Sequence, residues 1–301
     1  MKIAITGSTG LIGTALAEAL RADGHRVIRL VRRPAAHDDE LSWDPHGASG
    51  AISPTALAGV DAVIHLAGAA VAGRRWTESY RTEIRESRVQ GTRALVGALT
   101  GMSAPPGVLL CGSAVGWYGD TGGKEVDESA PAGHGFLAGV VRDWEAAAEP
   151  AAKAGIRVVR MRTGIVLSHR GGMLPRLVPL FRLGLGARLG PGTQVMSWIA
   201  LTELTHVVRF LLGQPEISGP VNMTAPGPVS NAEFTARLAA ALHRPAVLTV
   251  PTPALRVAVG GVSSDLLASA RVMPRRLLAA GYQYRTPDLD GALAAELSPT
   301  R

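Results

Sequence analysis

The feature that most constrains the fold is an alternation of short apolar runs with longer helical patterns in the first half of the chain. The apolar runs cover Lys2–Thr6, Arg26–Val31, 61–66, 107–112 and 156–162. Helical patterns between them cover Leu11–Ala22, about 76–100 and about 137–153. Strands that are apolar throughout and separated by helices are typical of a parallel sheet covered on both faces. The sequence therefore predicts an α/β fold with a Rossmann-like, doubly wound parallel sheet.

The second half is less regular. Glycines and prolines crowd residues 171–192, a stretch too apolar for a linker and too interrupted for one long helix, so we expect it to line a pocket. Strands are predicted at 196–200, 221–223 and 282–286 (YQYRT), and a helix at 202–212. Ser230 precedes Glu233 by three residues, the spacing of a capping box that begins a helix, and a last helix ends the chain.

This pattern predicts two regions. Residues 1–168 form the Rossmann-like nucleotide-binding domain, and 196–225 return to it. Residues 169–195 and 226–301 form a smaller mixed α/β C-terminal region that holds the substrate.

Composition narrows the classes of function. Of 301 residues, 47% are apolar, the formal charge is +7, and only 4% are aromatic. Because the basic residues are scattered and aromatic side chains for base stacking are scarce, we expect no nucleic-acid partner. Basic side chains that face a phosphorylated small molecule account for the positive charge. No apolar run reaches the length of a membrane span and no signal-peptide pattern precedes the first strand, so the sequence predicts a cytoplasmic protein without a membrane partner.

The cysteine and histidine content indicates neither an internal disulfide nor a metal site. The single cysteine, Cys111, cannot form an internal disulfide, and we expect it to pack as a small apolar group. No Cys/His spacing indicates a metal site. The sequence leaves the oligomeric state undetermined.

The segment ITGSTGLIG carries a nucleotide-binding pattern. Gly7, Gly10 and Gly13 follow a strand and begin a helix, where glycines permit a tight turn and let backbone N–H groups approach a pyrophosphate. Thr9, Leu11 and Ile12 lie between these glycines and are assigned to the same site. The alternative is a glycine-rich turn without a ligand.

Residues after the second and third predicted strands indicate which nucleotide binds. Arg32 lies 19 residues after Gly13 and is followed by Arg33, in the region where an acidic residue would bind a ribose 2′-hydroxyl and a cation suits a 2′-phosphate. We therefore predict NADP(H), with the alternative that both arginines are only solvated. At the end of the third strand, the small residues Ala67 and Gly68 let a cofactor approach the backbone, and Leu66 before them is assigned to the same site.

An ordered series of segments resembles the extended short-chain dehydrogenases/reductases. It includes ITGSTGLIG, DAVIHLAG, TEIRESRVQGTRAL, GSAVGWYGD, VVRMRTGIVL, SWIALTEL and GPVNMTAP. More narrowly, the chain resembles the atypical branch labelled epimerase family proteins, which is similar to NAD(P)-dependent nucleotide-sugar epimerases. The resemblance covers nearly the whole chain, and it implies a Rossmann-like core, bound NADP(H) and a C-terminal substrate region.

The resemblance also implies catalytic positions, and here the chain departs from the superfamily. A serine after the fourth major strand and a Tyr-x-x-x-Lys pair on the next helix carry proton transfer in such enzymes. Ser113 matches the serine, but Phe136 and Val140 occupy the positions of the pair. Tyr118 is the nearest substitute proton donor. The alternatives are a structural Ser113 and a Tyr118 packed beneath its loop.

The resemblance implies three further cofactor contacts, at Glu83, Arg88 and Val166. The alternative for Glu83 and Arg88 is an exposed charged helix face. In SWIALTEL, Ala200 and Glu203 stand where the branch more often has a histidine and an acid. Two functions follow as hypotheses: an NADP(H)-dependent oxidoreductase or epimerase that acts on a small hydroxyl or carbonyl compound, or a non-catalytic NADP(H)-binding redox sensor or scaffold.

Overall fold

The structure is a computed structural model that describes residues 1–46, 52–71, 74–254 and 268–297. Its central feature is a seven-stranded sheet in the order β12-β7-β5-β4-β1-β2-β3. These strands are β1 (Lys2–Thr6), β2 (Arg26–Val31), β3 (Glu40–Ser42), β4 (Ala62–His65), β5 (Val108–Ala114), β7 (Arg157–Thr163) and β12 (Gly219–Met223). The sheet is parallel, as the alternation of strands and helices predicts.

The remaining strands pair outside the central sheet. They are β6 (Glu125–Val126), β8 (Ile165–Leu167), β9 (Ala187–Leu189), β10 (Val195–Met196), β11 (Trp198–Ala200), β13 (Val229–Ser230), β14 (Leu248–Val250) and β15 (Arg271–Val272). β8 pairs with β11, β9 with β14, and β6 with β15, each in parallel, and β10 pairs antiparallel with β13.

Helices of the described residues lie at or near the predicted positions, apart from the one at Leu174–Arg182, for which the sequence predicts no helix. They are α1 (Leu11–Ala22), α2 (Glu78–Thr100), α3 (Phe136–Lys153), α4 (Leu174–Arg182), α5 (Leu201–Leu212), α6 (Asn231–Ala241), α7 (Arg275–Ala279) and α8 (Leu289–Leu297). The predicted cap of α6 is present, because the backbone N–H of Glu233 donates to Ser230 Oγ at 3.1 Å. None of the helices described is long and apolar enough to cross a membrane.

Contacts divide the chain into two compact units. The first contains Met1–Ser113, Gly139–Met161 and Thr205–Val221, and the second contains Ala114–Ala138, Arg162–Leu204 and Asn222–Arg301. In the first unit, α2 and α3 bury their apolar side chains on the central sheet. That core includes Leu30, Val63, Leu95, Leu99, Leu109, Cys111 and Ala148. α1 packs on β1 and β2 with Leu16 and Leu20 fully buried.

The second unit has its own apolar core. It joins α4, α6 and α8 to the small β8–β11 sheet through residues such as Leu174, Phe181, Trp198, Phe234, Leu238, Leu289 and Leu293. The glycine- and proline-rich stretch at 171–192 contributes α4 and β9, in keeping with a segment too interrupted for one long helix. The domain boundaries predicted from the sequence stay a prediction.

The predicted strand at 282–286 is wrong. This segment has no strand pairing; instead, the backbone N–H groups of Arg285 and Thr286 donate to the Glu203 carboxylate at 2.8 and 2.7 Å. Alternating aromatic residues gave the segment a strand-like pattern. A buried side chain far away in sequence takes the hydrogen bonds that a neighbouring strand would otherwise receive.

Candidate cofactor and active site

The glycine turn after β1 has the close packing that only glycine allows. Gly7 has φ +66°, and a Cβ there would lie 2.8 Å from the backbone carbon of Leu66. At Gly13 a Cβ would lie 2.3 Å from Gly7 O, so the first turn of α1 rests directly on the loop. Gly10 donates its N–H to Gly7 O at 3.0 Å and is the N-cap of α1. The pattern recognised in the sequence therefore forms a strand, tight turn and helix.

The start of α1 is suited to an anion. Gly10 provides no side chain to cap the helix, and the first turn contains no acidic residue, so the N-terminal N–H groups and the positive end of the helix dipole are not neutralised locally. Thr9 and Gly10 are exposed, whereas Leu11 and Ile12 are half-buried. The buried Ser8 Oγ has no hydrogen-bond partner among the described residues. The residues present fit a dinucleotide pyrophosphate.

The end of β4 is held against this turn. Thr6 Oγ1 accepts hydrogen bonds from the backbone N–H groups of Leu66 at 3.0 Å and Ala67 at 3.2 Å. Thr6 Oγ1 also lies 2.7 Å from His65 Nδ1. His65 is fully buried, as the sequence predicts for a core residue, and burial lowers its pKa to about 4. A neutral imidazole thus helps to fix the strand ends that face the glycine turn.

Arg88 lies beside the segment that follows β4. A Cβ added to Gly68 would lie 3.2 Å from both Cγ and Cζ of Arg88, so the small residue makes room for the arginine. The guanidinium lies 5.1 Å from the centre of the Trp144 ring and donates to Ile84 O at 3.0 Å. Burial lowers its pKa to about 10, and no carboxylate in the described part of the chain pairs with it. This is a largely desolvated cation whose remaining N–H donors suit phosphate or ribose oxygens.

Glu83 does not join this group. It lies exposed on α2 five residues before Arg88, on a different face of the helix, as their spacing predicts. Trp144 has a buried indole Nε1–H that finds no hydrogen-bond partner in the described part of the chain. Gly112 is needed beside that indole, because a Cβ there would lie 2.8 Å from the Trp144 ring.

The two arginines after β2 are in different situations. Arg33 forms two hydrogen bonds with the Glu40 carboxylate, at 2.8 and 2.7 Å, and Arg29 adds an ion pair at 2.8 Å. The Glu40 side chain is buried, and the Arg33 guanidinium lowers the Glu40 pKa to about 2. Arg32 is exposed and has no carboxylate partner among the described residues. Of the pair, Arg32 is therefore the arginine free to bind a 2′-phosphate.

Ser113 lies at the end of β5 with its hydroxyl engaged. Its side chain is 4% exposed, and Oγ donates to Glu145 Oε1 on α3 at 2.6 Å. Glu145 is itself buried at 2% exposure. Phe136, in the first turn of α3, and Val140 supply no proton donor or charge. The bond from Ser113 joins β5 to α3, which supports the structural alternative for this serine.

Tyr118 is also engaged, within the second unit. Its hydroxyl donates to Asn222 Oδ1 at 2.7 Å and accepts from Arg162 Nη1 at 3.0 Å. The Arg162 guanidinium also lies 4.0 Å from the centre of the Trp117 ring. Tyr118 is 3% exposed, and burial raises its pKa to about 12. This geometry matches a tyrosine packed beneath its loop.

Two other predicted positions lie in the second unit. Val166 is half-buried in β8, opposite Ile199 in β11. Glu203 is 1% exposed and accepts hydrogen bonds from Tyr282, Arg285 and Thr286, so it anchors a C-terminal segment. Sequence reasoning missed Glu40, Glu145 and Glu203 as acceptors. Ser113 lies 32 residues from Glu145, and Thr286 lies 83 residues from Glu203. Arg33 lies only seven residues from Glu40, but no sequence pattern marks that pair.

Two family models match the chain. The model described as the NAD dependent epimerase/dehydratase family matches residues 3–224, and a domain of unknown function, DUF1731, matches residues 250–296. The first match contains the glycine turn, the arginines after β2, the end of β4 and Ser113.

Individual proteins resemble the chain over nearly its full length. Epimerase family protein Mb2239 of Mycobacterium bovis is 47% identical over 292 residues, which are 97% of this chain and 96% of that protein. Human epimerase family protein SDR39U1 is 36% identical over 297 residues, covering 97% and 98%. Each similarity includes both units.

Solved structures give the same result. The crystal structure of human SDR39U1 (isoform 2) with NADPH has a TM-score of 0.90 and 35% identity, and the match covers 98% of this chain and 99% of that one. The nucleoside-diphosphate sugar epimerase from Corynebacterium glutamicum has a TM-score of 0.81 and 38% identity, covering 99% of this chain and 58% of that one. Together with the matched model and the glycine turn, these similarities place the chain in the NAD dependent epimerase/dehydratase family.

Proposed function

We propose that this protein binds NADP(H) at the carboxyl ends of β1, β2 and β4 and exchanges a hydride with a small hydroxyl or carbonyl compound. The observation that carries the proposal is a pair of guanidinium groups, Arg32 and Arg88, that have no carboxylate partner among the described residues. Cations left unpaired at this edge of a parallel sheet suit a phosphorylated ligand. The NADPH in the structure of human SDR39U1 supports the same cofactor.

The binding residues divide by the part of the cofactor they would hold. Gly7, Gly10 and Gly13, with Thr9, Leu11 and Ile12, would hold the pyrophosphate at the start of α1. Arg32 would bind the 2′-phosphate, while Arg33 stays bound to Glu40 and orients the loop after β2.

The second group of binding residues lies further along the chain. Leu66, Ala67 and Gly68 would let the cofactor approach the backbone, and Arg88 would contact its ribose or phosphate oxygens. Glu83 and Val166 stay proposed contacts that rest on the family resemblance.

The reaction itself would use Ser113 and Tyr118. Bound NADP(H) supplies or accepts the hydride. For either hydroxyl to serve the substrate, Ser113 must exchange its bond to Glu145, and Tyr118 its bonds to Asn222 and Arg162. The substrate class stays a small hydroxyl or carbonyl compound.

A thermal-shift titration with NADPH and NADH tests the binding proposal. A ligand at 100 times its Kd adds about 2.7 kcal/mol, which should raise the midpoint by about 5 °C or more. Arg32→Glu should weaken NADPH by at least about tenfold and leave NADH little changed, because a hydrogen bond to a charged group contributes about 1.5–3 kcal/mol. Arg88→Met should weaken both nucleotides.

A matched control comes from the other end of the same strand. Arg26 is exposed at the start of β2, so Arg26→Glu makes the same charge change away from the site. If Arg26→Glu weakened NADPH as much as Arg32→Glu, the effect would be general electrostatics. If neither nucleotide raised the midpoint, the cofactor proposal would be lost.

A second candidate function, a non-catalytic NADP(H)-binding sensor or scaffold, is favoured by the engaged hydroxyls of Ser113 and Tyr118. The two functions separate in a screen of carbonyl compounds with NADPH, followed by absorbance at the reduced nicotinamide band. Turnover that falls in Ser113→Ala or Tyr118→Phe supports the enzyme. Tight NADPH binding without turnover, together with a partner protein whose capture depends on the cofactor, supports the sensor.

A further inference from the structure

Exposed apolar side chains are concentrated on one part of the second unit. In the described ranges, seven large apolar residues are exposed, and five of them lie in two short segments. These are Leu180 (46% exposed), Leu183 (73%), Leu185 (52%), Val247 (83%) and Leu248 (44%). A cluster of this kind differs from singly scattered surface residues, which need no special explanation.

The two segments form one surface. β14 pairs in parallel with β9, with Leu248 opposite Ala187, so Val247–Leu248 lies beside the chain that follows Leu185. The Nε of Arg244 donates to the backbone oxygen of Arg182 at 3.0 Å, which joins the loop before β14 to the end of α4. The segments that carry the five apolar side chains are therefore adjacent and belong to one region of the second unit.

Four arginines lie on the same two segments or a few residues from them in the chain. Arg176, Arg182, Arg188 and Arg244 are all exposed, and none has a carboxylate partner in the part of the chain that the structure describes. The chain contains no Asp or Glu between residues 150 and 202 or between 234 and 264. We name the five apolar residues and these four arginines the apolar–basic patch.

We propose that the apolar–basic patch docks on an anionic phospholipid bilayer surface. Apolar side chains at such a surface enter the boundary between headgroups and acyl chains, while the four arginines bind lipid phosphates. The charge of +7 adds a longer-range attraction to an anionic surface. The membrane contact is peripheral, and it revises the sequence-based expectation of no membrane partner, which rested on the lack of a spanning segment.

The proposal concerns a face that none of the proposed cofactor residues belongs to, so it stands or falls separately from NADP(H) binding. The test is co-sedimentation of the full chain with vesicles of phosphatidylcholine alone or with about 30% phosphatidylglycerol. We expect binding to the anionic vesicles only, and release as the salt concentration rises from about 0.1 M to about 1 M. Equal binding to both vesicle types, or none to either, would overturn the proposal.

Variants identify the surface. Each arginine near an anionic membrane strengthens partitioning roughly fivefold, so Arg182→Glu/Arg188→Glu should lower it by at least about 25-fold. Arg26→Glu/Arg93→Glu makes the same change in net charge at exposed positions of the first unit and should lower partitioning far less. Equal losses in both double variants would mean that net charge, and not the patch, governs binding.

Leu183→Ser/Val247→Ser tests the apolar part of the patch. We expect weaker vesicle binding with an unchanged thermal midpoint, because both side chains are exposed. A midpoint lowered by several degrees would mean that other parts of the protein cover these side chains, which would refute a free docking surface. A dimer in analytical ultracentrifugation that this variant converts to monomers would assign the patch to a second copy of the chain instead.

Discussion

Replacing Glu203 with alanine is expected to destabilise the protein strongly. The carboxylate is 1% exposed and accepts from the Tyr282 hydroxyl, from the backbone N–H groups of Arg285 and Thr286 at 2.8 and 2.7 Å, and from Thr286 Oγ1 at 2.9 Å. Alanine removes the carboxylate and leaves all of these donors without their acceptor. A buried donor left without a partner costs about 1–3 kcal/mol, and water that enters the vacated space recovers part of that cost. We expect a loss of about 3–5 kcal/mol in the free energy of unfolding.

Glu203→Gln should be much milder, because its carbonyl oxygen can still accept from the two backbone N–H groups. Its amide would then donate toward Tyr282, whose hydroxyl can rotate to accept. We expect a loss of about 1–2 kcal/mol for glutamine. Tyr282→Phe removes only one of the donors and should cost about 1 kcal/mol.

Urea unfolding followed by tryptophan fluorescence and by circular dichroism measures these differences. Glu216→Ala, at an exposed carboxylate that pairs with none of the described side chains, is the matched control and should stay within about 0.5 kcal/mol of the parent. The reasoning would be refuted if Glu203→Ala matched this control. It would also be refuted if glutamine were as damaging as alanine, since the loss would then not follow the number of hydrogen-bond acceptors.

Three other predictions concern the first unit. Gly13→Ala should lower the free energy of unfolding by at least about 2 kcal/mol and abolish the NADPH thermal shift, because its Cβ would lie 2.3 Å from Gly7 O. Gly97→Ala, at a position on α2 with open space for a Cβ, should raise the free energy of unfolding by about 0.5–1 kcal/mol. Burial lowers the pKa of His65 to about 4, so as pH falls the unfolded chain takes up this proton before the folded chain does. The free energy of unfolding should therefore fall by about 3 kcal/mol as pH drops from about 6.5 to about 4. His65→Gln should remove this part of the measured pH dependence. Burial raises the pKa of the Cys111 thiol to about 12, so a thiol reagent at about pH 8 should label only the unfolded protein; fast labelling of the native protein would contradict that burial.

Local patterns were sufficient for the parts of the fold built from neighbouring residues. The strand, glycine turn and helix at the start of the chain follow from apolar runs and from glycines at fixed spacing, and the structure has them at Lys2–Thr6 and Leu11–Ala22. The cap at Ser230 is another local signal, because donor and acceptor lie three residues apart. Interactions within one or two turns of chain can be recognised without knowing the fold.

The parts that sequence reasoning missed depend on which side chains the fold brings together, whether the partners lie seven or more than eighty residues apart. The strand-like alternation YQYRT gave no sign that Glu203 would take its backbone N–H groups. Equally, two adjacent arginines look alike as letters, and only the buried Glu40 carboxylate distinguishes Arg33 from Arg32. The partners of a buried carboxylate are determined by its position in the folded chain.

The same distinction bears on the chemistry of the protein. At the proposed cofactor site, cations have unused donors: Arg32 is exposed and Arg88 is desolvated beside Gly68. At the proposed reaction site, the hydroxyls of Ser113 and Tyr118 are already bonded to buried partners. A ligand can gain the arginine interactions without breaking any ion pair, whereas proton transfer must first disrupt buried hydrogen bonds. Selection for cofactor binding would therefore preserve Arg32 and Arg88 even where Ser113 and Tyr118 have become structural. NADPH affinity and turnover should respond to separate sets of substitutions.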